Sequence, residues 1–465
     1  MESSTAESAV KPFQFKSVIV SGIGVFSDSY NLYAISLVFY PIIGFLQLSG
    51  LEVSFITGST YFGAAAGAIL FGVIADKIGR KPAYGIDLLL IFVGALAQFF
   101  VSGFGGFFLA RLVMGFGIGG DFVMSPVIMA ENSSRSNRGK LMAIAFSVMY
   151  LFGAALAAFV VQVSSAFFIP ELAWRIVLGF GAVPSLFVIY YRRKIPETYR
   201  FSTRVKGDKA SSLDSNFKPD IPPAIGRDEV SYSNRFVKSL PVIIAGASLW
   251  VLYDAYSSTF TFYGPITIAA NLGLSPVAFT YAAIFFAGLP GTILSVYLLD
   301  RLGRKKLVTY GYIGVFIALL FYSILLLYPS VFGIHGSTGS AATLLGTAAE
   351  LGFTFYLFNY FFSAMGPATV IGGAMVVPEL IATKVRATAQ GLNVCIDRLI
   401  YGLAIASFPQ LLSSIGLGKV IFVYAAIAVG SIALIQLTIA EAKGKSLEEL
   451  AKEIPDGATA GRIPE

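Results

Sequence analysis

The chain has 465 residues, 56% hydrophobic and 13% charged, with a mean hydropathy of +0.76. A soluble protein of this length could not hide so much apolar surface, because a soluble domain needs a polar exterior and a lipid-facing one does not. The single Cys395 excludes an intramolecular disulfide, and the lone His335 cannot build a metal site by itself. The net charge of +7 is accounted for below without nucleic acid.

In chain order, residues 1–16 are polar and lack the apolar core and cleavage site of a signal peptide. Apolar runs then predict spans near 17–46, 52–75, 83–102, 105–131, 139–164 and 172–191. A polar segment, 192–238, reads as a flexible connector, rich in Ser and Pro from about residue 201. The second set lies near 239–263, 275–299, 307–328, 346–378, 387–413 and 420–440, with a polar tail over 441–465. Uncharged runs such as 307–329 and 420–440 exceed the roughly 20 residues a helix needs to cross about 30 Å of hydrocarbon. The fold class is therefore all-α: twelve transmembrane helices in two six-helix halves. Several runs are overlong, so tilt or kinking is expected, with Pro126, Pro290 and Pro367 as candidate kink points.

With an even number of spans both termini share one face. That face holds Lys11, Lys16, Lys77, Arg80, Lys81, Arg135, Arg138, Lys140, the connector, Arg301, Arg304, Lys305, Lys306, Lys384 and Arg386, whereas the alternate loops hold Lys419. Such asymmetry puts both termini and the connector in the cytoplasm of a multi-pass plasma-membrane protein. It also explains the net charge. The expected surroundings are a lipid bilayer, with no nucleic acid, no cofactor and no metal, and a monomer is expected. No hydrolase triad, Walker loop or zinc cluster stands out, so an enzyme is not expected.

The halves echo one another. Gly72, Asp76, Gly79, Arg80 and Lys81 follow the second span, and Asp300, Gly303, Arg304 and Lys305 follow the eighth at the corresponding turn. Glu131 precedes Arg138 by seven residues, and Glu379 precedes Arg386 by the same seven. Two echoes at matching places imply a duplicated six-helix unit with a solute site between the halves near mid-membrane.

The turn from Gly72 to Lys81 resembles the signature of the major facilitator superfamily, with Lys77 in place of an Arg. The resemblance implies that these acids, arginines and glycines latch the cytoplasmic side while the carrier faces outward. Their topological reading, as cytoplasmic anchors and a turn, stands beside it. Segments beginning at Pro196, Pro378 and Glu441 look like the cytoplasmic motifs of sugar-porter relatives. A narrower match covers Gly119, Gly120, Asp121, Ser125 and Glu131, Asp28 with Tyr30 and Tyr33, and Trp250 with Asp254. These resemble the first, fourth and seventh helices of phosphate:proton symporters.

The ionisable residues well inside the spans are Asp28, Arg111, Asp121, Asp254, Asp397 and Arg398. Each costs at least ~2.5 kcal/mol in hydrocarbon, so each must face the bundle interior or a wet cavity. Asp28 lies 11 residues into its span and Asp121 ten before Glu131, which places both roughly 15–16 Å from one face. Two facing carboxyls cannot both ionise easily, which suits proton coupling; the alternative is that either is a structural partner of Arg111 or of backbone. The resemblance assigns the proton to Asp28 and Asp121 and substrate contact to Asp254. Trp250, Tyr150 and Tyr256 are further substrate-site candidates. Arg398 either grips an oxyanion or locks onto Asp254 or Glu350 as a strut. Asp397 and Arg398 point about 100° apart on a helix and are not expected to pair.

At Phe122, Tyr150, Ser258 and Ala368 the chain departs from the phosphate branch's polar residues. The expected function is proton-coupled symport of a small polar solute by alternating access, with a phosphate-like anion leading and a sugar or organic acid as the alternative. An uncoupled facilitator and a non-transporting receptor are the remaining readings.

Overall fold

The computed structural model describes residues 12–208, 227–334 and 346–453; His335 lies outside them. Across lipid the backbone must satisfy its own N–H and C=O groups, so each apolar run becomes a helix. The first half contains α1 (Pro12–Leu37), α2 (Gly50–Lys77), α3 (Arg80–Phe99), α4 (Phe104–Asn132), α5 (Arg138–Phe167) and α6 (Pro170–Arg192). The second contains α7 (Tyr232–Ile268), α8 (Pro276–Leu302), α9 (Arg304–Leu327), α10 (Thr347–Met365), α11 (Arg386–Ile415) and α12 (Leu417–Thr438). Eleven of these are long and apolar enough to cross a membrane by composition, and α10 completes the twelve. Its hydropathy is lowered by Tyr356, Asn359, Tyr360 and Ser363, all of which line cavities.

The overlong runs resolve as breaks. The 17–46 run is interrupted at Val38 and continues as a second helix, Phe39–Leu46. The 346–378 run stops at Met365, and after Pro367 the chain makes a π-helical turn, Ala368–Gly372. Pro290 follows another π turn, Ile284–Gly288, whereas α4 runs unbroken through Pro126. Arg192, read from sequence as the first connector residue, is the last residue of α6 and is buried. Arg175 starts on the face opposite the basic one, where its guanidinium donates to the carbonyls of Phe99 and Val101.

Small residues decide how closely the helices approach. Gly63 and Gly67 on α2 pack on the carbonyls of Leu112 and Phe116 on α4, Gly115 on α4 packs on that of Thr60, and a Cβ at Gly119 would overlap the carbonyl oxygen of Ala64. Between the halves, Gly72 of α2 packs on the Ala387 carbonyl, and Gly391 of α11 packs on that of Ala68. Contacts this short hold two backbones together without a hydrophobic driving force. Gly79 and Gly303, in the α2–α3 and α8–α9 turns, have φ of 135° and 91°, a region other residues rarely enter.

Gly119→Val is expected to force α2 and α4 apart and to lower the thermal unfolding midpoint in detergent, at a cost of about 1–3 kcal/mol or more. An unchanged midpoint would show that the interface can relax.

Candidate functional site

The basic turns form a pair of locks. A helix N-terminus exposes N–H groups with no intrahelical acceptor and carries the positive end of the helix dipole. Asp76, at the end of α2, accepts the N–H of Ala387 at 3.2 Å and of Thr388 at 2.6 Å, in the first turn of α11. Asp300, at the end of α8, accepts those of Gly139 at 3.1 Å and Lys140 at 2.8 Å, in the first turn of α5. Each carboxylate thus caps a helix of the opposite half.

Beneath them, buried Glu131 bridges Arg80 at 3.0 Å and Arg386 at 2.8 Å. Glu379 bridges Arg304 at 2.6 Å and Arg138 at 2.9 Å. Arg80 also crosses to the Thr383 carbonyl at 2.7 Å. All eleven residues expected at this gate therefore lie together, with Gly72, Gly79 and Gly303 supplying the close contact and the turns. The sugar-porter-like segments complete it. Glu197 accepts the N–H groups of Arg80 and Lys81, and Glu441 those of Arg304 and Lys305. Thr198 donates to Glu131, and Arg200 pairs with Glu448 at 2.8 Å. The halves are closed against each other on this face.

Glu379 lies outside the spans. Burial opposes its ionisation, but the Arg304 and Arg138 guanidiniums outweigh burial and hold its carboxyl below the usual range. Its contribution is therefore fully present above the ordinary carboxylate value of about 4.3 and is lost only as pH falls through the lower folded value. Glu448 behaves alike, with Arg200 overcoming burial.

Above the lock lies a cavity of about 100 Å³, walled by both halves. Tyr33, Phe122, Ser147 and Tyr150 face it from the first half. Trp250, Tyr253, Asp254, Ser257, Ala368 and Arg398 face it from the second. Of the substrate-site candidates, Trp250, Asp254, Tyr150 and Arg398 line this cavity. Tyr256 does not: it lines a smaller, outer cavity of about 40 Å³ with Asn359 and Ser363, and Tyr253 takes the central position. Ser258 is buried elsewhere, while its neighbour Ser257 faces the cavity and donates to Asp254 at 2.6 Å. Tyr33, Tyr253 and Tyr360 border both cavities and separate them.

Arg398 is the only guanidinium on this wall among the described residues. Its Cζ sits over the rings of Phe122, Tyr401 and Trp250 at 4.5, 5.1 and 5.4 Å. Asp254 lies 3.6 Å from Nη1, an ion-pair distance too long for a hydrogen bond, and Nε donates a hydrogen bond to none of the described residues. The expectation that Asp397 would not meet its neighbour is corrected: Asp397 Oδ2 lies 3.4 Å from Arg398 Nε, because the long Arg side chain folds back along its own helix. Glu350 sits at the far end of α10, in its first turn, and takes no part.

Asp28 and Asp121 come together, but outside the cavity lining. Asp121 is held by Arg192 at 2.7 and 2.8 Å and by the Ser125 hydroxyl. Arg192 also reaches Asp87 at 2.7 Å and stacks on Tyr84 at 3.7 Å. The alternative partner, Arg111, instead donates to Gln98 and the Ile56 carbonyl. Asp28, fully buried, abuts the Asp121 carboxyl, and among the described residues neither of its oxygens accepts a hydrogen bond from an N–H or O–H. Sequence reasoning missed Arg192 and Asp87 because both sit at span ends, where charges ordinarily face water. The surplus of buried acid over base in the first half was the available signal.

A family model described as "Sugar (and other) transporter" matches residues 17–453. The chain belongs to this family. Similar relatives are a probable inorganic phosphate transporter 1-6 of Arabidopsis thaliana, 28% identical over 95% of this chain and 94% of its own, and inorganic phosphate transporter 1-6 of Oryza sativa subsp. japonica, 29% identical over 94% and 92%. Among solved structures, the major facilitator proton:xylose symporter XylE bound to 6-bromo-6-deoxy-D-glucose superposes with a TM-score of 0.81. It is 19% identical over 95% of this chain and 98% of its own. The inward open conformation of XylE from E. coli gives 0.67 at the same identity, covering 95% and 99%. The family's fold is thus the major facilitator fold, and the protein is a multi-pass membrane transporter.

Glu379→Gln removes the charge that neutralises Arg138 and Arg304 and is expected to open the basic face. With spin labels at Lys81→Cys and Lys306→Cys in a Cys395→Ser background, the distance distribution should gain a longer component in the variant. Glu379 is held below the ordinary carboxylate range, so lowering the pH from 7 to 5.5 should change the distribution no more in the unmutated lock than in Glu379→Gln, and an extra pH-dependent shift seen only when Glu379 is present would contradict the sign worked out for it.

Proposed function

We propose that this protein is a proton-coupled symporter of a small oxyanion, with inorganic phosphate as the leading solute, working by alternating access. Arg398 carries the reading. A buried guanidinium on a cavity wall, caged by three rings and with hydrogen-bonding capacity unused, matches what a planar fork of donors offers an oxyanion. The names of the similar relatives agree with it.

Coupling is assigned to Asp28 with Asp121. A carboxyl that meets only another carboxyl is stable when a proton lies between them, and Asp121 is the member of the pair that Arg192 grips. Asp28 then loads and releases the proton. The basic face is cytoplasmic, so the closed lock corresponds to a carrier shut toward the cytoplasm in the plasma membrane. Breaking the lock opens the inward path. The protein works as a monomer, and its work is transport rather than catalysis.

A second reading, a sugar or organic-acid carrier, is favoured by Phe122, Tyr150 and Ala368. All three line the cavity and replace polar groups of the phosphate-type pattern.

Proteoliposomes with an inside-alkaline pH gradient separate the two. Labelled phosphate should accumulate, a protonophore should abolish accumulation, and Arg398→Gln should reduce uptake at least tenfold while leaving the melting temperature within a few degrees. Accumulation of a hexose or pentose and not phosphate would establish the second reading. Asp28→Asn should abolish uphill uptake while sparing expression; normal accumulation in that variant would remove the proton from Asp28.

A further inference from the structure

The second half holds an acid arrangement that parallels the one around Asp28. Asp397 of α11 is fully buried, and neither of its oxygens accepts a hydrogen bond from an N–H or O–H among the described residues. Its carboxyl faces that of Asp254 on α7 closely enough for one hydrogen bond between them if one is protonated. Asp254, like Asp121, is the partnered member, receiving the Ser257 hydroxyl and the Arg398 charge. In each half, then, one carboxyl is tied to an arginine and a serine, and the other meets a carboxyl.

Charge counting gives this pair a task. The groups facing it with full charge are Asp254, Asp397 and Arg398, and the rest are tyrosines. These are Tyr253 and Tyr256 on α7, Tyr312 on α9, Tyr61 on α2, and Tyr150 and Tyr401 nearest Arg398. Two ionised acids and one arginine leave a net charge of −1, and a monoanion at Arg398 would make it −2 in a low-dielectric wall. Such a site admits the anion when protons enter with it.

We propose that Asp397 is a second proton-carrying carboxyl, which takes up one proton as an oxyanion binds at Arg398 and gives it up when the anion leaves. The proton bridges Asp397 and Asp254 and cancels one of the two negative charges facing Arg398, so the site is no more negative with the monoanion bound than it was empty. Transport then moves two protons with each anion, one at Asp28 in the first half and one at Asp397 in the second. This rests on the oxyanion reading above.

The test is the proton-to-phosphate ratio in proteoliposomes holding the full-length protein, from an entrapped pH dye and labelled phosphate in the same vesicles. The wild type is expected to move two protons per phosphate. Asp397→Asn should move one while still binding phosphate, and Asp397→Glu should restore two. An equal ratio in wild type and Asp397→Asn overturns the proposal, as does a wild-type ratio of one, which decides the matter even if Asp397→Asn fails to fold. Absence of any phosphate uptake by the wild type instead overturns the oxyanion reading. The two failures are thereby distinct.

Discussion

Inside hydrocarbon a charge has to be neutralised by another part of the same protein, because no water is there to do it. Most of the architecture follows from where each neutralising partner lies. In the spans, acids and arginines pair within one half: Arg192 with Asp87 and Asp121, and Arg398 with Asp254 and Asp397. At the basic face they pair across the halves: Glu131 with Arg386 and Glu379 with Arg138. The first kind needs no partner from the other half, and the second ties the two halves together on one face.

The twofold relation between the halves deepens this division. At the lock the correspondence is close, down to a positive-φ glycine and a glutamate capping the next helix in both turns. In the cavity it fails, since Arg398 lines the wall from one half while Arg192 is buried away from it in the other.

Much of this was legible in the sequence, for identifiable reasons. Hydropathy runs located the helices because crossing lipid imposes a minimum apolar length. Gate residues were legible because both copies repeat with the same spacing, as Glu131 with Arg138 and Glu379 with Arg386. What escaped depends on azimuth and reach. Tyr253 and Tyr256 are three residues apart on one helix, and only the packing of α7 shows that the first faces the central cavity and the second the outer one. Arg192 looked like a surface charge because its Cα is at a helix end, while its side chain runs inward to Asp121. Arg398 and Asp397 were judged by Cβ directions, which a four-bond side chain can overrule.

The cross-half caps have one more consequence, for how such proteins drift over time. Asp76 and Asp300 supply the acceptor by side chain, but the donors at Ala387, Thr388 and Lys140 are backbone amides. Every residue except proline carries that amide. At exposed Lys140 selection can therefore hold the acid fixed while the residue it grips changes, so a covariation search would find one partner of that contact and miss the other; at Gly139 the space beside Asp300 admits no Cβ.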